Sequence, residues 1–314
     1  MRVGVDIGGT KIIAGLASEA GRVIRHAQIP TEGQNGYPAV RDRIVRLVAD
    51  VLSGTGVKKS SIKQVGLACA GQIDQALKRV LFSPNLNWRN KPLGRDIEAA
   101  TGLPVSLEND VNAATYGEWR FGFKKEGLNV VGIFLGTGIG GGLILNGRLF
   151  RGSRDVGGEL GHITLNPHGY QCRCGNRGCF EAYCGGSYVV GRVRERLEQG
   201  YRGRLWEIVG GDPVGLHAGH VEEGYYLGDE LCSEAWGEVI EYLGVGLQSV
   251  ANLLNPDLIL LGGGVIQGTK KLVHEARLVM KQRAMPASTK GLRVERTRLH
   301  QNAMILGAAF VSSD

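Results

Sequence analysis

Apolar and polar positions alternate from the start of the chain. In residues 2–7 the apolar set is Val3, Val5 and Ile7, the period-two pattern of a strand, and Gly8-Gly9 follows as a turn. Residues 12–17, IIAGLA, read as a second strand, so the opening unit is a hairpin. That excludes two common phosphate motifs: a Rossmann or Walker loop opens onto a helix, and this turn opens onto a strand. The same unit recurs about 130 residues later. Residues 129–135, NVVGIFL, form a strand, GTGIGGG a glycine turn, and LILNGRLF a strand, an Asn-Gly turn and a further strand. Spacing this long marks a duplication at domain scale, because solenoid repeats have periods of about 20–50 residues.

α/β elements fill the interval. Val40, Ile44, Leu47, Val48 and Val51 predict a helix over 38–52, closed by SGTG. Residues 64–70 predict a buried strand, 92–101 a short helix stopped at Gly102, and 104–107 a strand leading into Glu108-Asn109-Asp110 and a helix over VNAATYGEW. In the second half, 229–254 is a long amphipathic helix broken at Asn255-Pro256. Residues 257–261 form an apolar strand followed by Gly262-Gly263-Gly264, and a helix over 303–311 ends the chain. The domain boundary is expected near residues 112–128. That gives a small α/β domain over 1–115 with the C-terminal helix at about 300–314, and a large one over 116–299.

Composition changes this picture little. At 43% apolar and 21% charged, the 314 residues are those of an ordinary globular protein. No basic segment followed by an apolar run opens the chain, and no stretch nears the ~18 apolar residues of a membrane helix, so a cytoplasmic location without membrane partners is expected. The net charge of +7 is spread along the chain, which favours attraction of a polyanionic small molecule over nucleic-acid binding. The 50 glycines are about twice the usual share, and they cluster at the two hairpins, at 157–161 and at 262–264.

Three places carry chemistry. Gly8, Gly9, Thr10 and Lys11 form a candidate phosphate cradle: glycines admit a phosphate to backbone N–H groups, Thr10 adds a hydroxyl and Lys11 a charge. Asp6 at the strand end is a candidate Mg²⁺ ligand. The bland alternative is a plain hairpin, but Gly136-Thr137-Gly138 repeats the pattern, and two such hairpins suit a nucleoside triphosphate. Gly262 to Gly264 could then let an adenosine ring lie against backbone. Asn109-Asp110 stands where a strand meets a helix, and is either an N-cap or, through Asp110, a general base for transfer to a hydroxyl. Finally, Cys172, Cys174 and Cys179 fall within eight residues, with His162 ten residues before Cys172. A Cys₃His set closes a tetrahedral zinc shell, so this metal is expected to be structural. His168 is the competing histidine; Cys69, Cys184 and Cys232 read as buried thiols.

DIGGTK, LENDVNAA, GTGIGGG, ELGH, CRCGNRGCFE and NPDLILLGGG together resemble the ROK family of repressors, open reading frames and sugar kinases, over essentially the whole chain. The resemblance implies a duplicated actin-like, hexokinase-like (ribonuclease H-like) ATPase fold with two lobes around a cleft. It implies Asp110 as catalytic base, and Asn109, Glu159, His162 and Glu181 as ligands of sugar hydroxyls, with Asn85 of the SPNL segment as a further one. Gly8 to Lys11 and Gly136 to Gly138 match ATP phosphate loops, Gly263-Gly264 the adenosine site, and His162 would serve both zinc and sugar. GQID at 71–74, where a glycine-proline is usual, departs from the pattern. The implied activity is ATP-dependent phosphorylation of a hexose at its 6-hydroxyl, glucose first, with N-acetylmannosamine or fructose as alternatives, in a homodimer or higher homo-oligomer. A sugar-responsive repressor is the reading from another class; with the hairpin starting at residue 2, no room is expected for its helix-turn-helix.

Overall fold

The structure is a computed structural model that describes residues 1–312. Its strands are β1 (Arg2–Ile7), β2 (Lys11–Ala17), β3 (Val23–Pro30), β4 (Val65–Cys69), β5 (Gln72–Asp74), β6 (Arg79–Ser83), β7 (Trp88–Lys91), β8 (Val105–Asn109), β9 (Val130–Leu135), β10 (Ile139–Leu145), β11 (Arg148–Phe150), β12 (Leu258–Gly262) and β13 (Arg293–Arg296). They make two five-stranded sheets, ordered β3-β2-β1-β4-β8 and β11-β10-β9-β12-β13, and a three-stranded sheet β5-β6-β7. In the first sheet β1 and β3 run antiparallel to β2, while β1, β4 and β8 are mutually parallel. The second repeats this arrangement, with β10 antiparallel to β11, and β9, β12 and β13 parallel. The duplication seen in the sequence is thus a duplication of sheet topology.

One difference concerns the second glycine run. It was expected to be wholly turn, but only Gly136 to Gly138 turn; Gly140 to Gly142 lie within β10. Gly142 is there because a Cβ would meet the Thr115 side chain.

By contacts the chain forms two compact units, one of residues 1–128, 142–158 and the segment from 297 on, the other of 129–141 and 159–296. In the first unit, Val3, Val5 and Ile7 pair in register with Val65, Leu67 and Cys69, and all are buried. The helix Gly36–Leu52 covers them with Val40, Ile44, Leu47, Val48 and Val51, the set its period predicts. The helix Gln301–Phe310 approaches so closely that backbone meets backbone. A Cβ on Gly4 would strike the Ile305 carbonyl, one on Gly66 that of Ala308, one on Gly117 that of Ala303, and one on Gly307 that of Ala113. In the second unit the helix Glu230–Leu254 buries Trp236, Val239, Leu243 and Leu247. Among the described residues no helix is long and apolar enough to cross a membrane.

The glycines give a matched pair of predictions. Gly307→Ala should destabilise the fold by about 3 kcal/mol, because the Ala113 carbonyl is main chain and cannot step aside. Gly237→Ala, in the Glu230–Leu254 helix with open space around it, should instead stabilise by about 0.5–1 kcal/mol. Denaturant unfolding of the two variants measures both signs.

Candidate active site and metal centre

The first unit carries Asp6, Gly8, Gly9, Thr10, Lys11, Asn85, Asn109 and Asp110. Gly8 to Thr10 turn between β1 and β2, closed by Gly8 N–H on Lys11 O at 3.1 Å. Thr31 holds the turn from behind: its hydroxyl donates to Gly8 O at 2.7 Å and its N–H to Thr10 O at 2.9 Å. Gly9 lies against Asn85, with room for a Cβ only 3.3 Å from the Asn85 Cβ. A cavity of about 530 Å³ opens beside these two residues, lined also by Gln34, Tyr37, Trp88 and Lys91. That is within the range of small-molecule sites.

Asn109 ends β8 and caps the helix Asp110–Gly117, its Oδ1 accepting from Val111 N–H at 2.9 Å and Asn112 N–H at 3.0 Å. Its Nδ2 donates to Gly71 O at 3.0 Å. The cap is therefore real, and one amide hydrogen remains for any ligand. Glu108, 2% exposed, anchors the corner from below. It accepts from Arg151 Nε at 2.8 Å, Asn109 N–H at 3.0 Å, Asn112 Nδ2 at 3.1 Å and the Gln75 amide. Sequence reasoning missed Thr31, Gln75 and Arg151, because no motif ties residues that far apart, and it gave Glu108 no role although it stands next to Asn109 in LENDVNAA.

Asp110 thus sits at the carboxyl end of a parallel strand. Its charge reaches Asp6, whose carboxyl is pushed up to about 7 by burial first and by Asp110 second, with Lys11 partly opposing. Burial and both carboxylates likewise hold the Cys69 thiol neutral, far above its ordinary value.

The second unit carries Gly136, Thr137, Gly138, Glu159, His162, Cys172, Cys174, Cys179, Glu181, Gly263 and Gly264. The ligand atoms of His162, Cys172, Cys174 and Cys179 all lie within 4.8 Å of one another. Zinc bonds of about 2.3 Å to sulfur and about 2.05 Å to nitrogen, at tetrahedral angles, put two sulfurs about 3.8 Å apart and sulfur and nitrogen about 3.6 Å apart. The structure has Cys174 Sγ to Cys179 Sγ at 3.6 Å and Cys172 Sγ to His162 Nδ1 at 3.8 Å. The donor set fits zinc. Burial opposes ionisation of Cys172, but the Cys174 N–H, the Tyr188 hydroxyl and the neighbouring thiols bring it down to about 7; burial and the same thiols push Cys179 up to about 12. His168, the competing histidine, is exposed and outside the cluster, and Cys69, Cys184 and Cys232 are buried free thiols.

Ile139 joins the other groups of this unit. Its N–H donates to Glu181 Oε2 at 2.8 Å, and a Cβ on Gly161, in the turn Leu160–His162 that follows Glu159, would meet its carbonyl. Gly263 has a φ of 89° and lies against the backbone of Leu135, just before the Gly136–Gly138 turn.

The family model for ROK matches residues 2–314. The chain belongs to the ROK family. It is 37% identical over 267 residues to a glucokinase of Streptomyces coelicolor, covering 84% of this chain and 82% of that one. It is 33% identical to a ROK family glucokinase from Streptomyces griseus solved with glucose and AMPPNP, with a TM-score of 0.82 over 98% of this chain and 97% of that one. Similarity also extends to a xylose repressor of Caldicellulosiruptor bescii, 30% identical over 99% of this chain and 78% of the repressor. The ROK chain described here has the mixed α/β sheets of these sugar-kinase structures.

Two predictions follow from the geometry. Protein purified without added metal should contain about one zinc per chain by elemental analysis, lost when Cys174→Ser removes a ligand. The second concerns pH. Folding raises the Asp6 pKa from 3.8 to about 7, so it favours the protonated carboxyl; that stability is complete below about pH 4 and is lost as pH rises through about 7. Asp6→Asn should therefore gain on the wild type between pH 4 and pH 8, by at most about 4 kcal/mol, when unfolding is compared without nucleotide or divalent cation.

Proposed function

We propose that this protein is an ATP-dependent hexose kinase that phosphorylates a 6-hydroxyl, with glucose the first substrate. The observation that carries the reading is the placement of Asp110. It stands at a strand's carboxyl end, on a corner anchored by Glu108 and Asn109, with Asp6 and the first glycine turn in the same unit. Open α/β sheets take ligands at such strand ends. The glucose and AMPPNP held by the Streptomyces griseus relative support the same substrates here.

Asp110 accepts the proton of the 6-hydroxyl as that oxygen attacks the γ-phosphorus of ATP; ADP leaves and the sugar 6-phosphate forms. In the turns Gly8 to Lys11 and Gly136 to Gly138, the backbone N–H groups not spent inside the turns take phosphate oxygens, and Gly263-Gly264 take the adenosine. Asp6 is the carboxylate available to Mg²⁺, directly or through water; burial first and Asp110 second raise its proton affinity. Mg²⁺ bound with ATP would neutralise charge on the β- and γ-phosphates. Asn85, Asn109, Glu159, His162 and Glu181 hold sugar hydroxyls. His162 presents Nδ1 to the metal cluster, which leaves Nε2 for the sugar and fixes the tautomer. Zinc held by His162, Cys172, Cys174 and Cys179 would have no open position, and its part would be to hold the loop. ATP supply and free thiols suit the cytoplasm.

The same groups would serve N-acetylmannosamine or fructose, so the decisive experiment is ADP release across glucose, mannose, fructose and N-acetylmannosamine. Glucose is expected to give the highest kcat/KM; turnover of none of the four would sink the kinase reading, and preference for N-acetylmannosamine would replace glucose. Asp110→Asn should lower kcat about 10²- to 10⁴-fold while sugar binding persists. Wild-type turnover in that variant would remove Asp110 from the role.

A further inference from the structure

The second phosphate turn does not hold itself. Its internal bond is Gly136 N–H on Gly138 O at 2.9 Å. Its remaining carbonyls are fixed from the start of the helix Gly186–Glu198: Gly186 N–H donates to Gly136 O at 2.9 Å, and Ser187 donates to Thr137 O through both N–H at 3.0 Å and hydroxyl at 2.8 Å. With the carbonyls drawn back, the N–H groups of Thr137 and Gly138 have no partner among the described residues. Those donors are what a phosphate needs.

The helix start is in turn tied to the metal knuckle. Arg173, between two cysteine ligands, donates its N–H to the Tyr188 hydroxyl at 2.8 Å and its guanidinium to Ser187 Oγ at 3.3 Å. The Tyr188 hydroxyl also lies 3.5 Å from Cys172 Sγ. A second tie runs from Cys179 through Glu181, whose carboxylate takes the Ile139 N–H that follows Gly138 in the chain. Between the cysteines the knuckle has only turns and isolated bridges, Thr164 with Cys179 and Gln171 with Arg177. Elements that short do not order without a staple.

We infer that Ser187 and Tyr188 are positioning residues through which the metal knuckle presents the Gly136–Gly138 turn to nucleotide, so that metal binding and nucleotide binding are coupled. The inference rests on the proposal that this turn binds ATP phosphates. Coupling of this kind is reciprocal: the factor by which zinc tightens nucleotide is the factor by which nucleotide tightens zinc.

The test uses the full-length zinc-loaded protein. ATP and glucose affinities are measured by calorimetry, and zinc affinity by competition with a chromogenic chelator, with and without saturating ATP. Saturating ATP should tighten zinc in the wild type. Ser187→Ala should weaken ATP about tenfold, leave glucose affinity within about twofold, and abolish the tightening of zinc by ATP. Ser187→Thr, which keeps the hydroxyl, should restore both. Tyr188→Phe should weaken zinc and ATP together. Zinc affinity indifferent to bound ATP, or a Ser187→Ala variant with wild-type ATP affinity, would overturn the inference. A wild-type protein that binds no ATP at all would instead overturn the function proposed above, a separate and recognisable outcome.

Discussion

Four side chains converging within 4.8 Å are the constraint on which the second unit's chemistry hangs. The knuckle that supplies three of them has almost no core of its own: Cys172, Cys179 and Ala182 are buried there, with Tyr188 packed against them. Ordering a loop of this kind costs about 1–2 kcal/mol per residue in backbone entropy, which so small an apolar cluster does not offset. A metal bound by three thiolates and an imidazole would offset it. What such a metal fixed, it would fix for its neighbours. His162 would be a ligand, Glu181 is two residues from Cys179, and Arg173 sits between Cys172 and Cys174. Through Ile139, Ser187 and Tyr188 the order reaches the glycine turn.

Glycine does two different jobs in this chain. At Gly136 to Gly138 and Gly8-Gly9 it makes the tight turns between paired strands. At Gly4, Gly66, Gly117 and Gly307 it lets the C-terminal helix lie directly on strands and on the Asp110–Gly117 helix. The second job supports the first. β1 and β4 can be held from one side by backbone contact with the C-terminal helix, while the helix Gly36–Leu52 packs on them with large side chains. Both turns are also held alike: Thr31 draws back the carbonyls of one, Gly186 and Ser187 those of the other. A turn whose carbonyls are already satisfied presents its N–H groups outward without reorganising when phosphate arrives.

Much of the fold was legible because its signals are local. Alternation gave β1, apolar runs beside glycine turns gave β2 and β9, the 3.6-residue period gave the helices at Gly36–Leu52 and Glu230–Leu254, and the Cys spacing gave the cluster. Asn109 illustrates the limit. Its position predicted either a cap or a ligand, and the structure adds that the cap uses Oδ1 and one amide hydrogen, leaving little to offer. The supports were not legible. Glu108 with Arg151, Ser187 with Thr137 and Thr31 with Gly8 join residues 23 to 50 positions apart, at spacings no period marks. The extent of the second turn was also misjudged, since a glycine run says that side chains are absent but not whether the reason is a turn or a neighbour such as Thr115.

The first unit is organised around an electrostatic conflict. Asp6 and Asp110 are partly buried; burial first and the nearby Asp110 second raise the proton affinity of Asp6, and Lys11 opposes them. Two carboxylates so placed are unfavourable in the free protein, yet the corner bearing Asp110 is held by hydrogen bonds through Glu108 and Asn109. Rigidity of that kind stops the pair from relaxing apart. The conflict is relieved when Asp6 takes up a proton.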